Sequence, residues 1–156
     1  MGKRIVFIGI VVFIVIISFG VVRADDKADI MKVIEKYRNG WLNMDIELLK
    51  ELWDKDYKGV TYIPTDLKDP IIGWEGIKNY HDESKKVFDK IKDLTLKNIH
   101  INVLNDFAYV VCNFHFEAIF KKGENLLSSD GIITFILRKK NNRWLFIYYH
   151  ESVPQT

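Results

Sequence analysis

Cysteine is almost missing from this chain. Cys112 stands alone among 156 residues, so no disulfide can brace the fold internally and a packed core has to hold it. Proline is nearly as scarce, with three residues, and no low-complexity tract, internal repeat or interdomain linker interrupts the sequence. His81, His100, His115 and His150 show no short ligand spacing and no accompanying acidic cluster, so no metal site is expected. A glycine-rich phosphate loop and a serine or cysteine nucleophile motif are also missing, and no cofactor is expected. Charge of one sign is lacking too: 23 basic residues face 21 acidic ones. Nucleic-acid binding needs a concentrated basic face, so that partner class is excluded.

What is present begins with Lys3 and Arg4, followed by an apolar run from Ile5 to Val22 that is broken only by Gly9, Ser18 and Gly20. Val22-Arg23-Ala24 then meets Asp25-Asp26. A basic start, an apolar stretch and small or apolar residues at the −3 and −1 sites make a secretory signal peptide, residues 1–24, with cleavage between Ala24 and Asp25. A secreted or periplasmic location follows. The rival is an uncleaved anchor, because about 18 apolar residues sit at the lower edge of a bilayer span; membrane contact is expected only through this segment if it is retained. No cysteine follows the run, which argues against a lipidated attachment. Cleavage leaves residues 25–156, a length suited to one domain with one core. It also leaves 20 basic against 21 acidic residues.

Apolar spacing predicts a helix over 25–38 through Ile30, Val33, Ile34 and Tyr37, interrupted at Gly40. Asp45 is placed to cap a short second helix whose wide apolar stripe is Ile46, Leu48, Leu49, Leu52 and Trp53. A β-prone stretch around Val60 and Tyr62 ends at Pro64, and a third helix is predicted from near Glu75 to Lys90 with His81 on its apolar side. From Leu94 onward the pattern is β: strands over 94–104, 107–121, 126–139 and 143–151, with Asn141-Asn142 as a tight turn. Helices followed by consecutive strands give an α+β class. On the 107–121 strand, Ala108, Val110, Cys112, Phe114 and Phe116 should face the helices, leaving Asn113, His115 and Glu117 outside. Strict alternation on the last strand groups Leu145, Ile147, Tyr149 and Glu151 against Trp144, Phe146, Tyr148 and His150.

Read in order, Val33-Ile34-Glu35-Lys36-Tyr37, Trp41-Leu42-Asn43-Met44-Asp45, Gly73-Trp74-Glu75-Gly76-Ile77 and the final hairpin Thr134–Ser152 with its Trp144 and His150-Glu151-Ser152 resemble SnoaL-like proteins of the nuclear transport factor 2-like superfamily, which includes ketosteroid isomerases. The resemblance covers essentially the whole chain after residue 24. It implies a cone-shaped, curved antiparallel sheet wrapped around three N-terminal helices, commonly a homodimer through the outer sheet face. The isomerase branch keeps a carboxylate base immediately before the proline after the first strand; here that residue is Ile63, which cannot take a proton. Tyr37 sits where the same branch carries its tyrosine. Glu151 holds the position at which related association domains present an arginine to the cavity.

The residues expected to line the pocket are Tyr37, Trp41, Tyr62, Phe114, Tyr149 and Glu151, with His81 and Glu151 as the weak acid–base candidates. Trp53, Trp144 and Cys112 read as packed core, and His115 as a surface or interface residue. Three functions stay open, since fold does not settle function. One is an exported domain that binds a small apolar or aromatic molecule in the cone. A second is a lyase or isomerase using a His81/Glu151 pair, and a third is a dimeric interaction module with a vestigial cavity.

Overall fold

The computed structural model describes residues 18–123 and 125–154, with residues 18–24 as backbone alone. The first 17 residues of the expected signal peptide lie outside the described residues. Among the described residues no helix is long and apolar enough to cross a membrane.

Helix α1 (Ser18–Leu42) runs through Gly40 instead of stopping at Arg38, which corrects the expected interruption. The reason is close packing: a Cβ on Gly40 would lie 2.7 Å from Leu49 Cδ2, so glycine lets α2 (Ile46–Glu51) approach α1. Ile30, Ile34, Tyr37 and Trp41 form the buried stripe of α1, four- and three-residue steps apart. The expected cap is present: Asp45 accepts the Leu48 backbone N–H at 3.0 Å and opens α2.

Strands β1 (Thr61–Ile63) and β2 (Ile71–Ile72) precede α3 (Trp74–Val87). The third helix was expected to reach Lys90, but the chain turns extended at Phe88 and β3 spans Phe88–Leu104. Phe88 and Ile91 are thus strand residues. Cross-strand packing overrides the helical spacing here: Phe88 pairs with Phe120, their rings stacked at 5.4 Å, and Ile91 and Leu94 enter the core from the strand. The sheet continues through β4 (Phe107–Phe120), β5 (Leu126–Lys140) and β6 (Arg143–Ser152). Asn141 and Asn142 take positive φ at the tight turn that the sequence predicts, and Asn105 does so at the turn between β3 and β4.

The strand order is β2-β1-β6-β5-β4-β3. The sheet is mixed and not purely antiparallel, because β1 pairs with β6 in parallel, Tyr62 opposite Tyr149. Alternating apolar residues carry no record of strand direction, so only the path of the chain reveals this pairing. The α+β class and the helix-covered inner face hold: Ala108, Val110, Cys112 and Phe114 are buried as expected.

The last strand departs from strict alternation. Ile136 pairs with Tyr148 but Leu137 pairs with Phe146, so Ile147 is an extra residue in the ladder. This bulge shifts the phase, and Trp144, Phe146, Tyr149 and Glu151 share the inner side, with Ile147 also buried. The expected grouping of Trp144 and Phe146 with Tyr148 and His150 is corrected accordingly. At the far end of the hairpin, Asp26 is buried and accepts Trp144 Nε1 at 3.2 Å and Lys139 Nζ at 2.5 Å. These contacts fasten the start of the domain to β5 and β6.

Candidate functional site

The bulge at Ile147 delivers Tyr149 and Glu151 to the inner side of the sheet, where α1 supplies Tyr37. The Tyr37 and Tyr149 hydroxyls lie 2.8 Å apart. Tyr149 donates its proton to Glu151 Oε1, so Tyr37 must donate to Tyr149. The other carboxylate oxygen of Glu151 accepts the Thr65 backbone N–H and Thr65 Oγ1, both at 3.3 Å. Burial pushes the Glu151 carboxyl above the usual glutamate range, while the Tyr149 and Thr65 hydrogen bonds pull the other way. Burial also holds the Tyr37, Tyr62 and Tyr149 hydroxyls well above the ordinary tyrosine range, so all three stay protonated donors.

Tyr62 connects this hydroxyl chain to α3. Its ring stacks on Tyr149 at 4.5 Å and 17°, and lies 5.6 Å from the His81 ring. Trp41 and Tyr80 close on His81 from two further sides, at 5.7 and 6.0 Å. Tyr80 itself donates to Asp66 Oδ1 at 3.0 Å, on the loop after β1. Tyr62 thus touches both the Tyr149 and the His81 rings, and no hydrogen bond joins His81 to Glu151.

His81 is 1% exposed, and neither ring nitrogen has a hydrogen-bond partner. Burial lowers its pKa to about 4, with the nearby Lys50 ammonium acting in the same sense and Asp82 opposing. Trp41 is buried too, and its interaction with the Tyr37 hydroxyl opposes the effect of burial on that group. Most buried polar groups in native proteins are paired, and each orphan costs roughly 1–3 kcal/mol. The Asp54 Oδ2 atom also lacks a hydrogen bond, but its charge is answered by Arg138 Nε at 3.4 Å. Among the described residues no charged side chain forms an ion pair with His81.

The interior is closed by its own rings: Tyr37, Trp41, Tyr62, Phe114 and Tyr149 are all buried. A surface cleft of about 460 Å³ reaches one of them, Phe114, between β4, Gly131 and the tail at Val153-Pro154. A side chain on Gly131 would overlap the Ser152 carbonyl and come within 2.7 Å of Phe114 Cε1. Glycine thus lets the tail and the ring close together there. A second cleft, of about 380 Å³, lies apart from the cone beside Asp25, Asp29 and Lys139.

Of the residues expected to line a pocket, Tyr37, Trp41, Tyr62, Phe114 and Tyr149 are buried side chains and Glu151 is half-buried; of these only Phe114 borders one of the two clefts. Ile63 ends β1 before the buried Pro64 and offers no proton acceptor. Thr65, Asp66 and Tyr80 were not foreseen as site residues. Thr65-Asp66 reads as a plain turn, and only their hydrogen bonds to Glu151 and Tyr80 reveal them. Trp53 and Trp144 are core, as expected. Burial raises the Cys112 thiol to about 11, in keeping with a packed side chain. His115 is on the outer face with Asp130 at 2.9 Å. Among the described residues no group of three or more His, Cys, Asp or Glu side chains is placed to hold a metal ion.

The family model of the SnoaL-like domain matches residues 30–156. No curated protein matches the sequence. A nuclear transport factor 2-like superfamily protein from Salmonella enterica serovar Typhimurium superposes with a TM-score of 0.77 at 22% identity, over 86% of this chain and 94% of that one. A protein of the same family from Streptomyces avermitilis, described as a candidate dehydratase, gives 0.76 at 16% identity, over 85% and 99%. A candidate scytalone dehydratase from Novosphingobium aromaticivorans gives 0.74 at 16% identity, over 85% and 87%. At these identities the likeness is one of fold.

Proposed function

Since the chain belongs to the SnoaL-like domain family, in which ligand-binding and enzymatic members share one fold, we propose that it is an exported domain that binds a small apolar or aromatic molecule inside the cone. One observation carries this reading: among the described residues both nitrogens of His81 are buried without hydrogen-bond partners, between the Trp41, Tyr62 and Tyr80 rings. A packed core gains nothing from such orphans, whereas a guest that hydrogen-bonds them recovers their desolvation cost. On this reading the guest enters past Phe114 or the Glu151 rim. Mass spectrometry of the native protein should detect a copurifying small molecule. An empty protein whose melting temperature is also unmoved by a panel of aromatic compounds would sink the reading.

An acid–base enzyme is the second reading, favoured by the raised pKa of Glu151 at the end of the tyrosine chain. It requires turnover with a bell-shaped pH profile that is lost in Glu151→Gln.

Two further parts of the proposal concern the whole protein. Export rests on the residue 1–24 pattern, and removal of that segment would leave Asp25 and Asp26 at the head of α1, where the helix dipole favours carboxylates. Dimerisation rests on the outer sheet face, which exposes Leu104, Phe107, Tyr109 and Ile132.

A further inference from the structure

The bond expected to be cut on export lies inside a helix that is fastened to the sheet. Helix α1 runs unbroken from Ser18 to Leu42, so the Ala24–Asp25 peptide bond falls within it. Asp25 is exposed, but Asp26 is buried, and its carboxylate accepts Trp144 Nε1 at 3.2 Å and Lys139 Nζ at 2.5 Å. The Lys139 ammonium also lies 5.8 Å from the Trp144 ring centroid, which ties the three groups together. Lys139 and Trp144 face each other across the β5–β6 hairpin, 113 and 118 residues beyond Asp26. These contacts therefore close only after the last hairpin of the chain has formed.

The cleavage signal is read at −3 and −1, two residues apart. A period of two belongs to an extended chain, whereas a helix puts such positions about 200° from each other around its axis. Reading Val22 and Ala24 together therefore needs the start of α1 unwound. Helical pairing also gives the Ala24 carbonyl to the Ala28 N–H, and attack on that carbonyl needs this bond broken. The turn so opened is the one that carries Asp26.

We propose that Asp26, Trp144 and Lys139 form a processing lock: once they meet, the Ala24–Asp25 bond is shielded from the signal peptidase, so cleavage precedes completion of the β5–β6 hairpin. This rests on the export reading above and adds the order of events to it. The reaction is hydrolysis, in which water adds across the amide and leaves a carboxylate on Ala24 and an ammonium on Asp25. In a folded precursor that bond is reached only by local opening, and the rate of cutting follows the population of the open form. An unfastened helix end frays at almost no cost. Here fraying breaks one charge-assisted hydrogen bond and strips the indole N–H of its acceptor.

The test uses the full precursor, residues 1–156, refolded in detergent micelles and treated with purified signal peptidase. The folded precursor should be cut at least about tenfold more slowly than the same chain added from denaturant and unfolded at mixing. Trp144→Phe and Lys139→Gln, both far in sequence from the scissile bond, should each speed cutting of the folded form by about tenfold, the scale of one such hydrogen bond lost. Gly131→Ala strains the opposite end of β6 and serves as the control: its cutting rate should match wild type. Acceleration by Gly131→Ala equal to that of the lock variants would assign protection to global stability and overturn the lock. Equal cutting of folded and unfolded precursor, or protection that neither lock variant relieves, would also overturn it while leaving the export reading intact. An unfolded precursor that is not cut after Ala24 would overturn the export reading and the lock with it.

Discussion

Burial disfavours the ionised form of any side chain, and at the residue scale it moves His81 and Glu151 in opposite directions. The pKa of His81 drops from 6.5 to about 4 on folding, so between those values the unfolded chain takes up a proton that the folded one refuses. Its contribution is therefore full above about pH 6.5 and is lost as pH falls toward 4. The size is on the order of 3 kcal/mol. Urea unfolding of the wild type should weaken over that window, and His81→Phe should flatten the slope. Glu151 behaves in the reverse sense, because its folded pKa is raised. Its contribution is full below the ordinary value of 4.5 and declines as pH rises through the folded one. Glu151→Gln should gain stability relative to wild type as pH increases from 4 to 7. A constant difference between the two proteins across that range would contradict the burial argument.

At the scale of elements, local chemistry marks ends well and interiors poorly. The Asp45 cap and the Asn141-Asn142 turn were legible because side-chain oxygens and positive φ are properties of a few adjacent residues. The end of α3 was not, since Phe88 and Ile91 fit a helical stripe and a strand equally well until Phe120 pairs with Phe88. The bulge at Ile147 was also hidden, for nothing in Leu145–Tyr149 distinguishes an extra ladder residue from an alternating one. Gly131 is the element-level position whose substitution is easiest to read. Gly131→Ala must displace the Ser152 carbonyl or the Phe114 ring, and overpacking of this kind costs about 1–3 kcal/mol. Chemical denaturation should show that loss. A variant as stable as wild type would mean that the tail moves away freely.

For the whole molecule, assembly and processing are the open quantities. Sedimentation equilibrium should return twice the mass of one chain, and charges placed on the outer face by Phe107→Glu with Tyr109→Glu should return a monomer with unchanged circular dichroism. A monomeric wild type would remove the dimer. N-terminal sequencing of exported protein should begin at Asp25, and a start at Met1 would favour the anchor. The sequence by itself determined the class of fold, the helix stripes, the inner face of β4 and the missing base at Ile63, because periodicity and residue identity are local properties. It also supplied each pocket residue as a separate candidate. Only the tertiary structure decided that Tyr62 touches both Tyr149 and His81, and that the Tyr37 and Tyr149 hydroxyls are engaged with one another. It alone left both nitrogens of His81 without a hydrogen-bond partner among the described residues. Those outcomes depend on contacts between α1, α3, β1 and β6, up to 112 residues apart in the chain, and no local pattern encodes a partner at that distance.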